Sequence, residues 1–166
     1  AFIRVGEKLL QKFGPRKPMI WGTLIVLVSI ALLMATNTMQ GTYQILAVIS
    51  YSLFGLGLAF YATPSTDAAL SNLPNDQVGS GSGIYKMASS LGAAFGVAAS
   101  AAIFTALQTS GLDIVGAAIE FSGRQDNVAV REAGFVGLAF NALMAIAALI
   151  SITFFIPKGK KAEAEA

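Results

Sequence analysis

Residues 64–107 read PSTDAALSNLPNDQVGSGSGIYKMASSLGAAFGVAASAAIFTAL. In the second half of this stretch Ala88, Gly92, Gly96 and Ser100 recur every fourth residue, a spacing that stacks them in one helical column with almost no side-chain bulk. Another backbone can approach such a column closely. In an apolar helix this is the small-xxx-small pattern of packing inside a membrane, where lipid supplies no hydrophobic drive between helices and close van der Waals contact takes its place. The pattern predicts a buried member of a helical bundle, with partners in the rest of the chain or outside it.

The composition agrees. Hydrophobic residues make up 55% of the 166 positions and charged residues 12%, about half the ~25% charged fraction of a soluble domain. A water-facing surface cannot be built from that. The absence of Cys and His excludes disulfides, thiolate or imidazole metal sites and Cys or His catalysis; no catalytic residue and no metal ligand set is expected. Charge-free windows run over residues 18–66, 87–112 and 133–157, each long enough for the ~20 apolar residues of a membrane span. The first is divided by the polar TNTMQGT of residues 36–42. The expectation is therefore an all-α integral membrane bundle with spans at about 18–35, 43–69, 83–107 and 134–156. A basic segment before an apolar run also fits a secretory signal, but the run is a full span in length and three more follow.

Charge sets the orientation. Residues 1–17 carry Arg4, Lys8, Lys12, Arg16 and Lys17 against Glu7, and the tail at 157–166 carries Lys158, Lys160 and Lys161, so both ends are placed in the cytoplasm of a multi-pass cell-membrane protein. The acidic connection at 108–132, with Asp113, Glu120, Asp126 and Glu132 against Arg124 and Arg131, falls outside. Ala1 is not a Met and stands in mid-pattern, so more chain is expected upstream. Trp21 sits at headgroup depth. The first span, bulky and uniformly apolar, suits the lipid-facing rim.

The second span alternates aromatic and small residues, among them Tyr51, Phe54, Gly57 and Tyr61, before Pro64. Pro64 frees a backbone carbonyl, and Ser65 and Thr66 are placed to satisfy it. The pattern fits a hinge and cavity wall, and fits plain helix packing as well. Asp67 is the carboxylate nearest a span interior; at ~1.5 Å per residue it lies some 35 Å beyond Gln44, near the inner headgroups. That depth favours a gating or structural pair with Lys86 across the following turn over a direct proton-carrying role. Asn75 or Asp76 is placed to cap the third span, and Asn127 the fourth. Gly79, Gly81 and Gly83 are not a phosphate loop, since no strand precedes them and no GK[ST] follows; no nucleotide or nucleic-acid partner is expected. Asn141, in a second four-spaced column with Gly137 and Ala145, suits an interhelical hydrogen bond worth ~0.6 kcal/mol.

Two stretches resemble the major facilitator superfamily, and within it the 14-helix drug:proton antiporters. KFGPRKP at 12–18 is similar to the family's basic cytoplasmic loop motif, through Lys12, Gly14, Arg16 and Lys17, with Gln11 at the acidic position. Residues 64–107 are similar to its run of a proline followed by spaced glycines, with Lys86 and Ser89 at the usual Asn and Arg positions. The resemblance covers essentially the whole chain. It implies the last four transmembrane helices of a major facilitator fold, with the missing N-terminal helices of the same chain as partners. It further implies a proton-coupled exporter of hydrophobic or cationic drugs, quinolones and quaternary ammonium compounds among them, driven by the proton gradient with no bound cofactor. Its proton-linked carboxylates would lie mainly upstream, so this part alone would not transport. The second and third spans would line the cavity and the first and fourth lie peripherally, with Tyr51, Phe54, Tyr61, Ser89 and Ser90 facing substrate. Two alternatives stand beside it. A small four-helix drug transporter needs a Glu in its first span, which residues 18–35 lack; a non-transport membrane scaffold or assembly protein would show the same packing columns.

Overall fold

The computed structural model describes residues 3–110, 115, 119–123 and 125–157. Arg124, Asp113 and the basic tail of Lys158, Lys160 and Lys161 lie outside them. Five helices follow in order: α1 (Ile3–Phe13), α2 (Arg16–Leu33), α3 (Gln40–Leu70), α4 (Val78–Ser110) and α5 (Val128–Phe155). The last four are long and apolar enough to cross a membrane.

The break between α1 and α2 is written in KFGPRKP. The Gly14 N–H bonds the Leu10 carbonyl at 2.8 Å, and Gly14 adopts φ 71°, the left-handed conformation that closes a helix at little cost only for glycine. Pro15 follows and cannot continue α1, but its fixed φ opens α2. The motif that reads as a loop is thus a two-residue corner between two helices. At the other end of α2 the chain turns over residues 34–39, where Thr38 Oγ1 donates to the Ala35 carbonyl at 2.8 Å.

α3 continues through Pro64 to Leu70 for 31 residues. Neither Ser65 nor Thr66 serves the carbonyl that proline frees. Thr66 Oγ1 donates instead to the Ala62 carbonyl at 3.1 Å, and the Ser65 hydroxyl meets Tyr85 Oη at 2.9 Å. α4 opens at Val78, and neither Asn75 nor Asp76 makes a side-chain cap among the described residues. The Gly81 N–H and the Ser80 hydroxyl both bond the Gln77 carbonyl, at 2.9 and 3.0 Å. Leu73 packs over Gly81, where any side chain would collide with it. Asn127 stands at the N-cap of α5 without a side-chain bond to it. With 31, 33 and 28 residues, α3, α4 and α5 each exceed ~40 Å at ~1.5 Å per residue, longer than the ~30 Å hydrocarbon layer. They tilt or project beyond it.

The helices are enclosed to different degrees within this chain. α2 is the most enclosed helix, with Pro18, Met19, Gly22, Thr23, Ser29, Ile30 and Leu33 buried, whereas no residue of α4 is buried among the described residues. α2 packs against both α3 and α5, because glycine and serine interrupt its apolar surface along one stripe and let α3 close on it, while Trp21, Leu24 and Val28 on its other side stay exposed, as a lipid-facing helix requires. A Cβ added at Gly92 or Gly96 meets no described atom within 4 Å. Among the described residues the Ala88, Gly92, Gly96 column is uncovered, and its Ser100 end reaches a neighbour. There Ser100 Oγ donates to Asn141 Oδ1 of α5 at 3.1 Å.

Candidate functional site

The geometry of the site starts from the α2–α3 seam. A Cβ added to Gly22 would lie 2.7 Å from the Gly57 carbonyl oxygen, and one added to Gly57 would lie 2.8 Å from the Gly22 carbonyl oxygen. Two helical turns along, Ser29 and Ser50 are fully buried and exchange hydrogen bonds. Ser29 Oγ donates to the Ser50 carbonyl at 2.9 Å and Ser50 Oγ to the Ser29 carbonyl at 2.6 Å. Both hydroxyls are thereby satisfied without water, which the interior of a membrane does not offer. This seam was missed at the level of sequence, although a signal is there: Gly22 and Ser29 on one helix, and Ser50 and Gly57 on the other, are seven residues apart, two turns of one face.

Fixing α3 on α2 aims the residues beside Ser50. Tyr51 and Phe54 line a cavity of about 400 Å³ with Val26, Ile30 and Leu33 of α2 and Leu138, Asn141 and Ala145 of α5. Its wall is apolar except for the Asn141 amide and the Tyr51 phenol. Asn141 is held at both ends, with Nδ2 donating to the Gly137 carbonyl at 3.1 Å and Oδ1 accepting from Ser100. The cavity borders an opening, because α4 rests on α5 and meets α3 at the far end, where Ser65 and Tyr85 touch. Tyr51, on the cavity wall, is 67% exposed.

The other expected cavity residues are placed elsewhere. Tyr61 packs its backbone and Cβ against Gly22 and is not part of the cavity wall. Ser89 and Ser90 are exposed on α4. Pro64 is fully buried. Asp67 is half-buried and lines a second, larger hollow of about 580 Å³ with Leu10 of α1 and Ala62, Thr63, Thr66, Leu70 and Ser71. Lys86 is exposed and forms no ion pair with Asp67. The two helices meet at this end through Ser65 and Tyr85 and through Leu70 beside Gly81.

Two arginines tie α5 to the rest. At the start of α5, Arg131 Nε donates to the Thr36 carbonyl at 2.6 Å and Nη2 to the Thr38 carbonyl at 3.0 Å. Nη1 donates to the Ser122 carbonyl at 2.9 Å, and the guanidinium lies 5.2 Å from the Phe121 ring centre. One planar fork thus joins the α2–α3 turn and the polar connection to α5. The Ser122 N–H adds a bond to the Asn37 carbonyl at 2.9 Å, and the buried Glu132 carboxylate accepts the Val115 N–H at 2.6 Å. At the opposite end, Arg16 Nη2 donates to the Thr153 carbonyl in the last turn of α5 at 2.6 Å, where a helix presents unsatisfied carbonyls and partial negative charge. Of the loop motif, Arg16 alone turns inward; Lys12 and Lys17 are exposed.

The family model of the Major Facilitator Superfamily matches residues 2–164. The chain is 43% identical over 156 residues to a quinolone resistance protein NorB of Staphylococcus aureus strain bovine RF122 / ET3-1, covering 94% of the chain and 30% of that relative. Its counterpart in strain COL is 42% identical over the same extent, and that of strain MRSA252 is 55% identical over 102 residues, 61% of the chain and 22% of the relative. The chain therefore spans about a third, or less, of the length of these relatives. No solved structure matches it. With four span-length helices and a family match over nearly every residue, this multi-pass chain belongs to the major facilitator superfamily, a family of transporters and not of enzymes.

Proposed function

We propose that the chain is the last four-helix part of a multidrug exporter and walls one side of its drug path. Transport follows alternating access, in which half-bundles rock about a site near the midplane. The observation that carries this reading is the cavity of about 400 Å³ in which Tyr51 and Phe54 of α3 face Asn141 of α5, in a chain similar along its length to staphylococcal quinolone resistance proteins. An apolar hollow with a few convergent polar groups suits small hydrophobic ligands. Aromatic faces add attraction for flat or cationic ones. The α2–α3 seam keeps this wall rigid while the half-bundle moves.

Export is driven by the proton gradient without a bound cofactor. Both termini face the cytoplasm of the cell membrane, and helices from the remainder of the transporter complete the path beside Ser89 and Ser90. Pro64, Asp67 and Lys86 belong to the cytoplasmic end, where Asp67 and the hollow around it act in gating.

The test uses the intact transporter in proteoliposomes, with a cationic dye such as ethidium and an imposed pH gradient. Dye moves against its gradient, movement stops when the pH gradient is collapsed, and Tyr51→Ala and Phe54→Ala slow it several-fold at unchanged protein abundance. Transport untouched by both substitutions would remove the cavity from the drug path. No dye movement under any gradient would favour a membrane scaffold.

A further inference from the structure

The α1–α2 corner carries positive charge that the bundle does not use. Lys12 Nζ lies 5.4 Å and Lys17 Nζ 5.3 Å from the centre of the same Phe13 ring. Phe13 packs edge-on against Trp21, with ring centres 5.4 Å apart. Lys8, Lys12 and Lys17 are exposed, and none pairs with a carboxylate among the described residues. Arg16, between the two lysines, is committed to Thr153. Trp21, 40% exposed, stands one turn into the first span, at the depth where indole rings sit among headgroups.

We propose that Lys12, Lys17, Phe13 and Trp21 form a binding site for the headgroup region of an anionic phospholipid. The aromatic pair gathers two ammonium groups around one ring, each with N–H donors still free for a phosphate. The same pair offers its apolar edges to the glycerol and upper acyl chain. Charge complementarity selects the occupant. A zwitterionic lipid has no net charge to draw it to two neighbouring cations, whereas an anionic one gains about fivefold in binding per lysine. Salt screens that gain. The proposal rests on the membrane reading of α2 and is independent of which compartment the corner faces and of what is transported.

The test places the intact transporter in lipid nanodiscs containing a trace of diazirine-bearing phosphatidylglycerol or of the matching phosphatidylcholine, and maps photo-adducts by peptide mass spectrometry. Phosphatidylglycerol is expected to label residues 8–25 at least fivefold more than phosphatidylcholine, with the preference lost in K12Q/K17Q and kept in K12R/K17R. Both positions are exposed, so these variants fold, and labelling of the other spans serves as the internal control. Equal labelling by the two lipids, or a preference that survives K12Q/K17Q, overturns the proposal. Loss of labelling to inorganic phosphate beyond that caused by chloride of the same ionic strength marks a site for free anions and overturns it too. Absence of labelling at every span would instead sink the membrane reading itself.

Discussion

Gly22 and Gly57 face each other so closely that a Cβ on either would stand within 2.8 Å of the other's carbonyl oxygen. The obstacle on each side is backbone, which cannot rotate away as a side-chain tip can. Replacing Gly by Ala inside a helix ordinarily stabilises it by about 0.5–1 kcal/mol. Here the overpacking cost of about 1–3 kcal/mol exceeds that gain, so Gly22→Ala and Gly57→Ala lower the thermal midpoint of the detergent-solubilised transporter. Unchanged midpoints in both variants would refute the seam.

Gly92 and Gly96 test the opposite situation, since nothing described lies within 4 Å of a Cβ at either position. Gly92→Leu and Gly96→Leu therefore leave the fold of this part intact. On the proposed exporter reading, in which the column meets helices from elsewhere, they raise dye accumulation in cells at normal protein abundance. Extrusion at the unmodified rate would show that the column has no close partner.

Ser29 and Ser50 are each donor and acceptor for the other. Ser29→Ala and Ser50→Ala are each expected to cost about 0.6–1.7 kcal/mol, the range for hydrogen bonds between membrane helices. The double variant costs less than the two together, because either change already disturbs the shared pair. A double-mutant cycle in the unfolding free energy reads the coupling directly, and strict additivity would mean the two bonds act independently.

Arg131 holds three carbonyls, those of Thr36, Thr38 and Ser122. Arg131→Gln removes charge-assisted bonds of about 1.5–3 kcal/mol each at most, and hydrogen exchange at residues 36–38 and 122 rises. Arg131→Lys recovers only a minor part, because a point-like ammonium cannot span carbonyls arranged for a planar fork. Full rescue by lysine would reduce the clasp to simple charge.

Asn141 supplies the amide of the aromatic cavity, beside the Tyr51 phenol. Asn141→Leu keeps the branching and heavy-atom count of the side chain but removes its bond to Ser100, so α4 loosens from α5. Dye affinity in the intact exporter falls along with the thermal midpoint, whereas Tyr51→Ala, on an exposed side chain, lowers affinity alone. Equal effects on midpoint in both variants would contradict this division.

The sequence alone determined the solvent and the number of crossings. Charge-free windows of span length, interrupted by TNTMQGT and by the acidic 108–132 connection, permit only helices that satisfy their own backbone in lipid. It also marked Tyr51, Phe54 and Asn141 as groups worth attention, since aromatics and an amide inside apolar helices need a use.

Which faces meet was decided only by the tertiary structure. Small residues occur on α2, α3, α4 and α5 alike, and a column of them states that a close approach is allowed without naming the partner. The fold selected Gly22 with Gly57 and Ser29 with Ser50, left Gly92 and Gly96 uncovered among the described residues, and separated Asp67 from Lys86. Arg131 was legible as a charge and Arg16 as a member of the basic loop motif, but neither reading gave their targets, which among the described residues include the backbone carbonyls of Thr153, Thr36, Thr38 and Ser122. A carbonyl carries no side-chain identity, so no pattern of residue types announces where a guanidinium will find one.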